Sequence, residues 1–228
     1  MIELRNVWFS YFEDEYVLRD VNLSFEKGIT IIMGPNGSGK TTLLKVASLI
    51  YKATKGQVTV NGIDYWSLSE GERLKIRRRI VYVHEKPTLL RGSALENVAY
   101  GLTIRGIKET EARESALEVM SELGIAHLAN RRDVNRLSAG EKQLIAIARA
   151  LVLNPDYLFL DEPLAHLHLT KRKNIVELLE KLKSKTTIVI SSHDPIPLLT
   201  IADRIVILEE GKITHIGSPK ELLEELYT

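Results

Sequence analysis

Four side chains able to bind a metal crowd the stretch Leu158 to Leu169, where Asp161 and Glu162 close an apolar run and His166 and His168 follow. The residue types would suit zinc or iron. Their spacing does not, because residues two apart diverge on a helix and Pro163 interrupts the path from the carboxylates to the imidazoles. A carboxylate pair at a strand end has another use: it can hold Mg²⁺ and direct a water when a phosphate-binding loop stands beside it.

Gly34-Pro-Asn-Gly-Ser-Gly39-Lys40-Thr41 matches the pattern of such a loop, G-x-x-x-x-G-K-[ST], in full. Its glycines let the backbone curl so that successive N–H groups point at one centre, and the helix start that follows adds partial positive charge. Lys40 would reach the β- and γ-phosphates of a nucleotide, and the Thr41 hydroxyl would bind Mg²⁺. Asp161, closing Tyr157 to Leu160, would share that ion directly or through water. Glu162 would orient or deprotonate an attacking water.

These groups need strands and helices to place them. Ile2 to Leu4, Val21 to Phe25 and Val58 to Val60 alternate apolar and polar residues, and the Asn61-Gly62 turn signal follows, so the first part of the chain reads as antiparallel strands. Ile29 to Met33 is continuously apolar, a buried strand feeding the glycine-rich loop. From about Ser69 to Leu153 the pattern is mostly helical. Ala112, Ala116, Val119, Met120 and Leu123 recur at helical spacing, as do Leu144, Ile147, Ala148, Leu151 and Val152. Beyond it, Tyr157 to Leu160, Thr187 to Ile190 and Ile205 to Leu208 alternate with a helix that turns Ile175, Val176, Leu178, Leu179 and Leu182 inward. The expectation is an α/β fold, a mostly parallel sheet with helices on both faces.

Composition narrows the function. With 228 residues and 44% hydrophobic content the chain can bury a sizeable core. A net charge of +1 gives no overall field to hold nucleic acid, so no nucleic-acid partner is expected, and the basic run Arg73 to Arg79 reads as a solvated helix face. There are no cysteines, and the N-terminus lacks a secretion-signal layout, so a reducing cytoplasm fits. No stretch approaches the ~18 to 20 apolar residues that cross a bilayer.

One more segment gives the motifs a common setting. Leu137-Ser-Ala-Gly-Glu141 lies between the glycine-rich loop and Asp161-Glu162 and opens the Leu144 helix; alone, Ser138 and Glu141 would be an ordinary capping box. In this order the motifs resemble the ATP-binding cassette (ABC) ATPases, whose LSGGQ signature here reads LSAGE. The resemblance spans essentially the whole chain. It implies a P-loop NTPase fold with an N-terminal antiparallel β subdomain and an inserted helical subdomain, about residues 85–154, within a core of about 1–84 and 155–228. It also implies a head-to-tail dimer, homomeric or heteromeric, with two ATPs and Mg²⁺ in the interface. Residue by residue, Tyr11 would stack on adenine, and Asn36, Gly37, Ser38, Gly39, Lys40, Thr41 and Thr42 would cradle the phosphates. Ser138 and Gly140 would bind the γ-phosphate held by the opposite subunit, and His193 would be the switch histidine contacting γ-phosphate.

Three positions depart from that pattern. Glu85 stands where the family usually has the glutamine that touches Mg²⁺ and the attacking water. A carboxylate can still bind the metal, yet its repulsion of γ-phosphate could reach about 4 kcal/mol at ~4 Å and an effective dielectric of ~20. Ala139 replaces the first signature glycine, which fits if its φ is negative. His168 replaces the aspartate that couples the two sites, and histidine changes charge near neutral pH, so coupling would become pH-sensitive.

The resemblance implies an ATP-hydrolysing subunit that powers a separate membrane permease, cytoplasmic and peripheral on the inner face of the membrane. The length suggests a single cassette without a regulatory extension. Lys86 to Gly101 resembles importer ATPases, particularly those for oxyanions or trace nutrients. Two other readings stand beside it: a soluble non-transport ABC ATPase, and a degenerate nucleotide-binding partner with little hydrolysis.

Overall fold

The computed structural model describes residues 1–13 and 15–226. Strands β1 (Ile2–Ser10), β2 (Tyr16–Phe25), β4 (Lys55–Val60) and β5 (Ile63–Asp64) form an antiparallel sheet in the order β2-β1-β4-β5. Ile2 sits between Phe25 and Val60, and Leu4 between Leu23 and Val58, so the expected alternation becomes one buried face. Asn61 and Gly62 both take positive φ, the two-residue turn that matches strand twist between β4 and β5.

The second sheet runs β10-β9-β3-β8-β7-β6, built from β3 (Gly28–Met33), β6 (Ile80–Val83), β7 (Tyr157–Asp161), β8 (Thr187–Ser192), β9 (Arg204–Glu209) and β10 (Lys212–Gly217). All its pairings are parallel except β9 with β10. Its central strands are apolar on both sides because both sides are covered, and the period of two sorts them. Ile29, Ile31, Leu158, Leu160, Ile188 and Ile190 face one core, whereas Ile32, Phe159, Val189 and Val206 face the other.

The two faces are covered unequally. On the first lie α3 (Ala94–Thr103), α4 (Glu109–Glu122), α5 (Ala139–Leu151), α6 (Leu169–Leu182) and α7 (Ile196–Leu199), sharing one continuous apolar cluster with the sheet. On the second lies α1 (Lys40–Ala47), and the antiparallel sheet completes the layer, with Phe25 edge-on to Phe159 at 5.7 Å. Leu144, Ile147, Ala148 and Leu151 of α5, and Val152 at its C-cap, are buried as their spacing requires. On α6 only Ile175 and Leu179 are fully buried, while Val176, Leu178 and Leu182 pack at the margin. The basic helix α2 (Glu70–Arg77) buries no residue, as its composition predicts, and α8 (Pro219–Leu226) follows β10.

Parallel order places the carboxyl ends of β3, β7 and β8 side by side, which is where ligands bind in sheets of this kind. The glycine-rich loop leaves β3 there, Asp161 ends β7, and Ser191 and Ser192 end β8.

Candidate active site

The loop between β3 and α1 is possible only with glycine at its hinges. At Gly34 φ is 148° and an added Cβ would lie 2.0 Å from the Leu208 carbonyl oxygen; at Gly39 φ is 104° and the Val17 carbonyl oxygen would be at 3.1 Å. Gly39 caps α1, whose first turn carries no acidic residue to compete with a bound anion. Lys40 is buried and donates from Nζ to the carbonyl oxygens of Gly34 (2.8 Å) and Pro35 (3.0 Å), curled over the loop it would serve. Ser38, within that loop, is buried, its hydroxyl without a hydrogen-bond partner.

Behind Thr41 lies Asp161, 2% exposed. Three hydroxyls donate to its carboxylate: Ser191 to Oδ1 at 2.6 Å, Thr41 to Oδ1 at 3.1 Å, and Tyr82 to Oδ2 at 2.8 Å. Burial, and next the charge of Asp161, push the Tyr82 phenol well above its ordinary pKa, so it remains a protonated donor. A buried carboxylate held only by hydroxyls, next to a threonine oxygen, fits a hard cation. Mg²⁺ characteristically takes one or two protein oxygens and completes its shell with phosphate and water. Consistently, no cluster of three or more His, Cys, Asp or Glu suited to an all-protein metal site occurs among the described residues.

Glu162 turns sharply away from the strand. Its φ is 46°, a left-handed conformation that costs a non-glycine residue roughly 1–2 kcal/mol, and its amide donates to the Ser191 carbonyl oxygen (3.2 Å) and to Ser191 Oγ (3.1 Å). The turn sends Asp161 and Glu162 to different tasks: one faces Thr41, the other meets His193, with Oε2 2.8 Å from Nδ1.

One pocket of about 390 Å³ gathers Asn36, Gly37, Gly39, Lys40, Thr41, Thr42, Glu85, Glu162 and His193. Tyr11 joins its edge: the phenol is 3.0 Å from the Thr42 hydroxyl, the ring is edge-on to Phe9 and Tyr51, and 47% of the residue is exposed. Ser138 and Gly140 lie elsewhere, in a surface concavity with Ala139, His166 and His168. There Ser138 forms the capping box with Glu141, and its backbone N–H holds the Glu141 carboxyl below the usual carboxylate range. Gly140 is required by packing, since a Cβ would lie 2.8 Å from the His166 carbonyl oxygen. Ala139 does not take a positive φ, as its substitution for glycine demands.

His166 and His168 are not a metal pair. His166 points its Nε2 toward Glu85 Oε1 at 4.0 Å, while His168 occupies the N-cap of α6 without a side-chain cap bond. Tyr82 and the tethering role of Ser191 were not legible in sequence. Both act through parallel strand neighbours, Tyr82 from seventy-nine positions away, and no local pattern marks such a contact.

A profile of the family described as ABC transporter matches residues 18–165. A putative ABC transporter ATP-binding protein of Pyrococcus horikoshii is 35% identical over 98% of this chain and 86% of its own length. The phosphate import ATP-binding protein PstB 2 of Natronomonas pharaonis is 35% identical over 94% of this chain and 79% of its own. Among solved structures, the dimeric post-hydrolysis state of an ATP-binding cassette bound to ADP and Pi superposes with a TM-score of 0.88 at 33% identity, covering 96% of this chain and 99% of that one. With the phosphate loop, the Asp161-Glu162 strand end and the signature helix start all in place, the chain belongs to the ABC transporter family as one of its ATPase cassettes.

Proposed function

We propose that this cassette is the energy-supplying subunit of a solute importer, binding and hydrolysing ATP in a head-to-tail dimer and working on a separate membrane permease. The observation that carries the reading is the division of the site. Lys40, Thr41, Glu162 and His193 line one pocket with Asp161 behind it, while Ser138 and Gly140 open a second anion-ready helix start on another surface. A second copy turned head to tail would bring the two together. The similar cassette structure bound to ADP and Pi is dimeric, which supports this arrangement.

In the filled site the loop amides from Asn36 to Thr42 and the Lys40 ammonium would hold the phosphates, and Tyr11 would offer its exposed face to adenine. Thr41 and Asp161 would hold Mg²⁺, in the pocket that Glu85 also lines; the ion would neutralise charge on the phosphate oxygens. Glu162, aimed into the pocket by its left-handed turn, would align the attacking water and accept its proton. His193 would hold Glu162 in place and contact γ-phosphate. Tyr82 and Ser191 would keep Asp161 from swinging away.

The permease needs a landing site, and no helix among the described residues is long and apolar enough to cross a membrane. A cleft of about 420 Å³ between β6, α3 and α5, lined by His84, Lys86, Tyr100, Arg149 and Leu153, is the surface we assign to it. Burial lowers the Arg149 pKa below its ordinary value, and its guanidinium donates to the Thr88 carbonyl oxygen (3.2 Å). An acidic group on the partner would complement it. The phosphate import relative and the importer-like stretch Lys86 to Gly101 support the direction of transport.

The test is Mg-ATP turnover by the purified cassette and its Glu162→Gln variant. The expected result is turnover by the wild type, its loss by about 100-fold or more in the variant, and an ATP-dependent dimer that the variant accumulates. Binding without turnover in the wild type would leave a degenerate nucleotide-binding subunit instead.

A further inference from the structure

The phosphate pocket holds two carboxylates, Glu162 and Glu85, beside a single lysine. Each has an imidazole of its own. Glu162 meets His193 at 2.8 Å, and Glu85 meets His166 at 4.0 Å. The second pair joins a residue of the loop after β6 to one of the loop after Glu162, and it bridges the two surfaces of the composite site: Glu85 lines the phosphate pocket and His166 lines the signature concavity. His166 is not placed there by chance drift of its loop. Its neighbour Leu167 is buried, and its own carbonyl is wedged against Gly140 so closely that no Cβ would fit between them.

We infer that His166 is a positioning residue for Glu85: in the closed dimer its Nε2–H would take hold of the Glu85 carboxylate, which it faces at 4.0 Å here, and keep it to one side of the γ-phosphate path, and this is what lets a carboxylate work at a position where a neutral amide would need no such restraint. The inference rests on the ATPase reading of the pocket. A freely rotating carboxylate there would swing toward the phosphates and repel them, whereas one held by an N–H donor has part of its charge engaged elsewhere. Because a single N–H suffices, the role holds for the neutral ring as well as the charged one. Closure of the dimer would need to shorten the gap by only about 1 Å to make a hydrogen bond.

The consequence is a dependence between two positions. His166→Ala should weaken binding of a fluorescent ATP analogue by about 5-fold and raise KM for ATP by a similar factor, with a smaller effect on kcat, because the unrestrained Glu85 opposes phosphate already in the bound ground state. In the Glu85→Gln background the same His166→Ala change should have little effect, since there is no charge left to restrain. His166→Gln, which keeps an N–H donor, should recover most of the loss.

The experiment measures analogue binding with and without Mg²⁺ and steady-state ATP hydrolysis for the wild type, both single variants, His166→Gln and the double variant, with thermal melting as a folding check. Equal losses from His166→Ala in the wild-type and Glu85→Gln backgrounds would overturn the inference and make His166 a structural loop residue. A wild type that binds the analogue without turnover would defeat the ATPase reading while leaving the binding comparison to decide this one. Failure of His166→Ala to fold shifts the decision to His166→Gln, for which wild-type binding is expected and a 5-fold loss insensitive to Glu85→Gln is the contrary result.

Discussion

Ser191 Oγ lies 2.6 Å from Asp161 Oδ1, and the same hydroxyl accepts the Glu162 amide at 3.1 Å. Ser191 is fully buried at the end of β8, so one side chain ties together the two carboxylate-bearing residues at the end of β7. Its single proton goes to Asp161 and its lone pair receives the Glu162 N–H; neither bond can be replaced by water without opening the sheet. Replacing Ser191 with Ala should cost about 2 kcal/mol of stability, the range for hydrogen bonds to charged groups. Turnover should fall while nucleotide affinity in the absence of metal is retained. Urea unfolding and ATPase assays check both; unchanged turnover would mean that Thr41 and Tyr82 alone fix Asp161.

The left-handed turn at Glu162 predicts an inverted order of stabilities. Glu162→Ala and Glu162→Gly both lose the carboxylate and its contact with His193, so they differ chiefly in tolerance of φ 46°. Glycine should be the more stable by about 1 kcal/mol, against its usual disadvantage, and both should be inactive. Alanine equal to or above glycine in a denaturant melt would show that the turn relaxes when the carboxylate is gone.

At the start of α6, His168 has N-cap geometry, φ −67° and ψ 154°, yet its side chain caps nothing. Aspartate there would accept an N–H of the first turn and face the positive end of the helix. His168→Asp should therefore stabilise the isolated cassette by about 0.5–1 kcal/mol, raising Tm by ~2–4 °C per kcal/mol for a chain of this size. Differential scanning fluorimetry of the monomer measures it, and a lower Tm would count against the capping argument.

The capping box of α5 gives a stability difference with a definite pH sign. Bonds from Ser138 lower the pKa of Glu141 in the folded chain, so their contribution is present above the unfolded carboxylate pKa of about 4.3 and is lost as pH falls through the lower folded value. Ser138→Ala should cost about 1 kcal/mol near neutral pH, mostly through the lost cap, and the gap from wild type should narrow below pH ~4. Chemical denaturation at both pH values checks this. A gap that is constant with pH would assign the whole cost to the bond that the Ser138 hydroxyl accepts from the Glu141 N–H, and none to the one it donates to the Glu141 carboxylate.

Much of the fold was legible because its cause is local. The run Ile29 to Met33 had to be a covered strand, the α5 spacing had to face a core, and Gly34 and Gly39 had to lie where no Cβ fits. The same holds for Lys40, Thr41, Asp161 and Glu162, which sit at the ends of elements whose boundaries the chain itself marks. Less of α6 was legible: Val176, Leu178 and Leu182 are as apolar as Ile175 and Leu179, and their place at the margin is set by tertiary packing rather than by their type or spacing.

What the sequence determined by itself was thus an ordered set of chemical groups and the strands and helices that carry them, since motif spacing and hydrophobic period are short-range properties. What only the tertiary structure decided was which groups share an atom's reach. Parallel pairing of β6, β7 and β8 brings Tyr82 and Ser191 onto Asp161, and the packing of the α5 start against the loop after Glu162 sets His166 opposite Glu85. Those contacts join residues far apart along the chain, and their geometry follows from how layers stack, which no run of neighbouring residues encodes.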